Sequence, residues 1–328
     1  MDPSKIIGEI EKNLSYFPQN DNLKEIAFFG GSFTGLDHDV MVGYLEIAKE
    51  YKEKGIIDRI RLSTRPDYIN NSILDTLKEY KVDIIELGIQ SLDQKVLDAN
   101  ERGHSVKASY EASKMIKKYG FTLGHQIMPG LFNDTYEKTI DTVLKSISIG
   151  PDIVRIYPTL VIKDTKLAML YEAGIYHPLT IDEAVKVSSE AAMLYKYAGV
   201  NIIRIGLQPT ENINEGADVL AGPFHPAFRQ LVETEIYKKY LEEIINKNNI
   251  SNELTIYTNH RNISLIAGNN KANKKYFYDR YKIKLNFKAS DSDYILYEGT
   301  KINLCLDKFI ENYVRENYGG DLLLNSKV

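Results

Sequence analysis

Six apolar, strand-like runs in this chain each end in a polar or glycine-bearing phrase, and a helix-like stretch separates each from the next. They read IAFFGGSFTGL (26–36), RIRLSTRPDYI (59–69), IIELGIQSLD (84–93), LGHQIMPGL (123–131), IVRIYPTL (153–160) and IIRIGLQPT (202–210). Buried strands alternating with amphipathic helices imply a parallel sheet with crossover helices, because parallel neighbours cannot be joined by a tight turn. The spacing predicts strands at 26–30, 59–65, 83–90, 122–128, 152–158 and 201–207. Helices are expected at 4–17, 37–54, 70–80, 106–119, 134–148 and 181–198. Five or more such units favour a closed or partly closed (β/α) barrel over an open sheet.

The rhythm stops after Pro209. Residues 210–226, TENINEGADVLAGPFHP from Thr210 on, read as a long loop rich in Gly, Asn and Pro. A helix at 227–246 follows, then short strands near 253–258, 262–267, 281–288 and 294–297 and a last helix at 305–317. The chain therefore divides into an α/β core over 1–210, and a linker with a small C-terminal α+β domain over 211–328. A length of 328 residues suits a barrel-sized core with such an accessory unit.

Composition narrows the function classes. One cysteine, Cys305, excludes an intrachain disulfide framework and fits a reducing compartment, so a cytoplasmic location is expected. No apolar run is long enough for a membrane helix. The net charge of −4 conceals an asymmetry: residues 246–288 hold nine Lys and Arg against two acids. Within it NNKANKKYFYDRYKIKLNFK (269–288) mixes lysines with tyrosines. That mixture reads either as a surface for RNA, with cations on phosphates and rings on bases, or as a solvated strand with aromatics packed inward.

In parallel α/β folds, ligand sites lie at the carboxyl ends of the strands, where these polar phrases fall. Gly30 and Gly31 remove two side chains ahead of Ser32 and Phe33, which allows a ligand to approach the backbone or simply makes a tight turn. Gln90 ends an apolar strand with an amide able to bond a ribose diol. Arg102, in NERGHS (100–105), offers a guanidinium for a carboxylate or is a solvated loop residue. His104 and His125 read as hydrogen-bonded structural histidines, since no metal-ligand spacing surrounds them. GxxxxGK[ST], HExxH and GxSxG are all absent, which removes support for nucleotide hydrolysis and common hydrolase routes.

Taken together, GGSFTGL (30–36), ELGIQSLD (86–93), ERGHS (101–105), MPGL (128–131) and RIYPTLVIKDTKL (155–167) resemble the radical SAM superfamily. The likeness is to the group related to the Elongator catalytic subunit and, more distantly, to oxygen-independent coproporphyrinogen oxidases. It covers about residues 20–230. It implies a partial barrel that binds S-adenosylmethionine and, in a complete protein, a [4Fe–4S] cluster. Such an enzyme makes a 5′-deoxyadenosyl radical, with tRNA or other RNA as a candidate substrate and ferredoxin or flavodoxin as reductant. By position, the resemblance assigns the backbone of Gly30, Gly31, Ser32 and Phe33 to the methionine amino group, Gln90 to the ribose and Arg102 to the methionine carboxylate. Ser63, where the family often has an acid, and Gln126 are further cofactor candidates. Ile156 and Tyr157 fall on a strand end lining the adenine or substrate side. Phe132 stands where the family usually has proline.

The CxxxCxxC motif that anchors the cluster is missing, and Cys305 lies in the accessory domain. The resemblance therefore implies a cluster only if such a motif precedes Met1. A chain that begins at an internal methionine is expected to be inactive as it stands. The alternative is a non-catalytic RNA- or ligand-binding protein built on the same barrel. A cluster-independent lyase would need a lysine or paired acids at the strand ends, which carry Ser, Gln and Arg instead.

Overall fold

The computed structural model describes residues 3–17, 23–207 and 218–319. Its contacts separate two units, one of residues 1–127 with 149–155 and one of residues 128–148 with 156–328.

The first unit opens with α1 (Pro3–Leu14), β1 (Glu25–Phe28) and α2 (His38–Glu53), followed by β2 (Arg59–Thr64) and α3 (Asn71–Glu79). It continues through β3 (Ile84–Gln90), a short α4 (Gln94–Ala99) that the sequence reading did not anticipate, α5 (Val106–Lys118) and β4 (Thr122–Ile127). Side-chain caps start most of these helices: Asn70, Asp93 and Ser105 each accept from the backbone amide three residues on. The second unit supplies α6 (Tyr136–Ile149), and β5 (Ile153–Ile156) follows. The chain then forms β6 (Val161–Ile162), α7 (Lys166–Glu172), α8 (Ile181–Tyr197), β7 (Asn201–Ile205), β8 (Val219–Ala221) and α9 (Phe228–Lys247). A capping box of Thr180 and Glu183 begins α8.

Strands β1-β2-β3-β4-β5-β7, in that order, form one six-stranded parallel sheet curled as a half-barrel, which matches the expected partial barrel. Alternation along the strands gives this sheet two unlike faces. Ile60, Leu62, Ile85, Leu87, Ile89 and Leu123 are fully buried on the apolar one. Arg61, Ser63, Glu86, Gly88, Gly124 and Gln126 stand on the other, with Ser63 opposite Glu86 and Glu86 opposite Gly124.

After α9 come β9 (Glu253–Thr258), α10 (His260–Ala267), α11 (Ala272–Tyr281), β10 (Lys284–Ala289), β11 (Tyr294–Tyr297), β12 (Thr300–Asn303) and α12 (Leu306–Tyr318). This is the expected C-terminal α+β domain, with a four-stranded sheet in the order β10-β9-β11-β12. Three local expectations are corrected. Residues 262–267 are helical, because Asn259 caps the segment by accepting from the Asn262 amide and Ile263, Ile266 and Ala267 recur at helical spacing. The segment 281–288 is strand only from Lys284, because α11 runs through Tyr281 and ends at a left-handed Lys282. Of the loop expected at 210–226, residues 210–217 lie outside the described residues, and Val219–Ala221 is corrected to a strand, β8, because it pairs antiparallel with β6.

Candidate cofactor-binding site

Short contacts join the carboxyl ends of β1 to β4. After β1, Gly30 adopts φ +100° and Ser32 leads into a 3-10 turn. Phe33 is buried there and stacks on Phe28 with ring centroids 4.5 Å apart. The next residue, Thr34, shares a hydrogen bond of 2.6 Å with Thr64 and donates to the Tyr68 carbonyl, which fastens the glycine loop to the end of β2 beside Ser63. Arg65 follows, paired with Asp67 and packed against Gly103.

Gln90 is the strained residue of the group. Its φ is +62°, and the Ser91 amide reaches back to the Ile89 carbonyl at 2.7 Å, closing a three-residue turn around it. The Gln90 backbone is held in a region that non-glycine residues seldom occupy. The same turn interrupts the register between β3 and β4. The Gln90 side chain folds back over Gly88, where a Cβ would lie 2.6 Å from Nε2. From β4, Gln126 Nε2 donates to Gln90 Oε1 at 3.2 Å, so two of the expected cofactor residues meet.

Arg102 reaches this group through His104. The imidazole is buried, with Nε2 3.2 Å from the Ile89 carbonyl and Nδ1 3.3 Å from the Arg102 carbonyl. Burial pulls its pKa below the ordinary histidine range. The Arg102 guanidinium has a buried Nε with no hydrogen-bond partner among the described residues. Burial, and then the like charge of Arg65, lower its pKa. An under-solvated cation with an unmet donor fits a carboxylate ligand.

Below these strand ends runs an ionic ladder that sequence reasoning missed. Glu86 Oε1 accepts from Arg61 Nη1 at 3.1 Å, and its other oxygen lies 2.8 Å from Arg155 Nε. Arg61 also pairs with Glu25, and the Arg155 guanidinium lies 4.4 Å over the Phe29 ring. A Cβ at Gly124 would come within 2.6 Å of Glu86 Cγ, so that glycine makes room for the carboxylate. Glycines inside the strand phrases IELGIQ and TLGHQI were the available signal. The structural readings of the histidines fit their surroundings, with His125 bonded to Ser113 Oγ at 3.0 Å. In the second unit Tyr157 is buried, and Phe132, the departure from proline, packs edge-on against Tyr176.

The sheet ends at β1. A cavity of about 700 Å³ runs along that strand and α1, and Gly30, Gly31 and Ser32 line one end of it.

Residues 2–145 match the Radical SAM superfamily, and residues 151–238 match the Radical_SAM C-terminal domain. The chain belongs to the radical SAM superfamily. A tRNA uridine(34) acetyltransferase of Methanocaldococcus infernus is 32% identical over 133 residues, which is 40% of this chain and 25% of that protein. Elongator complex protein 3 of Saccharomyces cerevisiae is 36% identical over 173 residues, 46% of this chain and 31% of that protein. This radical SAM chain thus spans a quarter to a third of the length of these two relatives. Among solved structures, the archaeal Methanocaldococcus infernus Elp3 with an N-terminal deletion superposes with a TM-score of 0.62 at 25% identity, covering 73% of this chain and 58% of that one.

Radical SAM proteins bind S-adenosylmethionine and a [4Fe–4S] cluster. The two groups fare differently here. The Arg102 guanidinium and the Gln90–Gln126 amides fit the polar ends of S-adenosylmethionine. A cluster needs thiolates, and the single cysteine, Cys305, is exposed at the start of α12. No group of three His, Cys, Asp or Glu that could hold a metal occurs among the described residues. The described residues therefore do not fit a cluster.

Proposed function

We propose that the first unit binds S-adenosylmethionine at the carboxyl ends of β1 to β4, as the cofactor half of an enzyme that modifies RNA. The observation that carries the reading is the buried, unpartnered Arg102 Nε, on the loop that His104 ties to the Gln90 turn. Arg102 would take the methionine carboxylate and the backbone at Gly30, Gly31, Ser32 and Phe33 the amino group. Gln90, oriented by Gln126, would take the ribose diol, with Ser63 at the neighbouring strand end. Tyr157 belongs to the second unit and stays outside this assignment. Bound S-adenosylmethionine would supply radical chemistry only beside a reduced iron–sulfur cluster. Thiolates for that cluster are not among these 328 residues apart from Cys305. The chain's own contribution is to hold the carboxylate, orient the ribose and keep Gln90 in its turn.

The name of the Methanocaldococcus infernus relative, a tRNA uridine(34) acetyltransferase, supports tRNA as the substrate class. A second reading, a ligand- or RNA-binding protein without radical chemistry, is favoured by the missing thiolates. Both readings require the cofactor site or an RNA surface.

Isothermal titration of the full chain with S-adenosylmethionine and with its decarboxylated analogue tests the site. S-adenosylmethionine is expected to bind, and Arg102→Ala to weaken it by about ten-fold to a hundred-fold. The decarboxylated analogue should bind the parent as weakly and lose nothing further in Arg102→Ala. Equal loss of both ligands in Arg102→Ala would remove Arg102 from the carboxylate.

A further inference from the structure

The four-stranded sheet of the second unit has one apolar and one polar face. Leu254, Ile256, Leu285 and Ile295 are buried on the first. On the second, the register sets Lys288 of β10 and Tyr294 of β11 on either side of Tyr257 of β9. The two tyrosine rings stack with centroids 4.5 Å apart and planes 6° from parallel. Lys288 Nζ sits 5.6 Å over the Tyr257 ring, and Lys301 Nζ of β12 sits 4.3 Å over the Tyr294 ring. A row of cation, ring, ring and cation therefore crosses the sheet.

The lysines of this row are exposed and have no carboxylate partner among the described residues. Lys284 is exposed on the same face, against the single acid Glu253. The face is thus locally positive on a chain whose net charge is −4. Cross-strand pairing alone accounts for stacked tyrosines. It does not account for two lysines over the rings, Lys288 and Lys301, that have no carboxylate partner among the described residues. A protein partner would need an apolar centre, and the large apolar residue here, Leu296, stands singly. Single-stranded nucleic acid meets both features. A lysine over a ring is a weak, solvated contact on a flexible stem, so it can swing to a phosphate and leave the ring to a base.

We propose that this sheet face binds single-stranded nucleic acid, stacking bases on Tyr257 and Tyr294 and holding phosphates with Lys284, Lys288 and Lys301. This places the nucleic-acid surface on the sheet rather than along the whole basic segment 269–288. It rests on the RNA side of the function proposed above and is independent of cofactor binding.

The test is fluorescence anisotropy of the full chain with labelled oligouridine and oligothymidine of about twelve nucleotides, at two salt concentrations. At least one of the two strands is expected to bind. Tyr257→Ala and Tyr294→Ala should each weaken binding by about ten-fold, and the Phe variants should keep it. Lys288→Ala with Lys301→Ala should reduce the salt slope by about 1.4. Should an alanine variant not fold, the surface swaps Lys288→Glu and Lys301→Glu answer the same question by abolishing binding. S-adenosylmethionine titration on the same samples should be unchanged. The proposal is overturned if neither oligonucleotide binds at low salt, or if the alanine and glutamate variants bind as the parent does. Loss of cofactor binding alone would count against the cofactor site and leave this face standing.

Discussion

His104 sets its Nε2 3.2 Å from the carbonyl oxygen of Ile89, the same oxygen that takes the Ser91 amide across the Gln90 turn. Nδ1 faces the Arg102 carbonyl at 3.3 Å, so the ring lies between two acceptors and, while neutral, donates to one of them at a time. One imidazole thereby joins the loop bearing Arg102 to the turn bearing Gln90. His104→Ala is expected to raise the Kd for S-adenosylmethionine by about ten-fold, a lost buried hydrogen bond and a loosened loop together. The informative readout is a comparison with adenosine. Its affinity should fall through Gln90 alone and therefore less than that of the whole cofactor. Equal affinities in parent and variant would make His104 a packing residue only.

Gly88 and Gln90 make a second, separable prediction. A methyl group at Gly88 would meet Gln90 Nε2 at 2.6 Å, and this contact is with the far end of a flexible side chain. Gly88→Ala should therefore displace the amide and break its bond from Gln126 at little cost to folding. Weaker cofactor binding, by about ten-fold, with a nearly unchanged melting temperature is the expected pattern. A large fall in Tm with intact affinity would contradict it.

Glu86 is expected to matter for stability before anything else. Its carboxylate is 3% exposed and faces guanidinium groups from β2 and β5. Glu86→Ala would leave two cations without their shared anion, at a cost of about 3–5 kcal/mol. Glu86→Gln retains an acceptor and should cost less. Urea unfolding of the three proteins measures the order, and an alanine variant as stable as the parent would show that the ladder is solvated.

Much of the barrel was legible because strand and helix periods differ and the polar phrases mark strand ends. The resemblance assigns Gln90, Arg102 and Gln126 to one cofactor; Gln126 bonds Gln90, and His104 ties the loop bearing Arg102 to the Gln90 turn. The Glu86 ladder was not legible. Its members come from four strands, and register across a sheet is decided by pairing that no local window contains. The second unit misled where segments were short: ISLIA satisfies both an apolar strand and one helical turn, and the cap at Asn259 decides between them. The stacked pair of Tyr257 and Tyr294 lies 37 residues apart in sequence, so the basic segment alone pointed to only one side of that face.

His125 makes the fold sensitive to acid. It is fully enclosed on β4, and burial, then the charge of Lys117, lower its pKa to about 3. Ser113 gives its own hydroxyl proton to the Ser109 carbonyl at 2.7 Å, so Nε2 of His125 is the donor between them and the ring is neutral. The unfolded chain takes up this proton near pH 6.5, whereas the folded chain resists it until about pH 3. Across that window the unfolded state binds more protons, and stability falls as pH falls. Between pH 7 and pH 5 this one group should remove about 2 kcal/mol. His125→Gln keeps an amide donor for Ser113 and cannot titrate. The variant should begin less stable at pH 7, yet lose about 2 kcal/mol less than the parent on going to pH 5, as read from urea unfolding at both pH values. Parallel losses in parent and variant would place the acid sensitivity elsewhere, with the buried His104 the next group to replace.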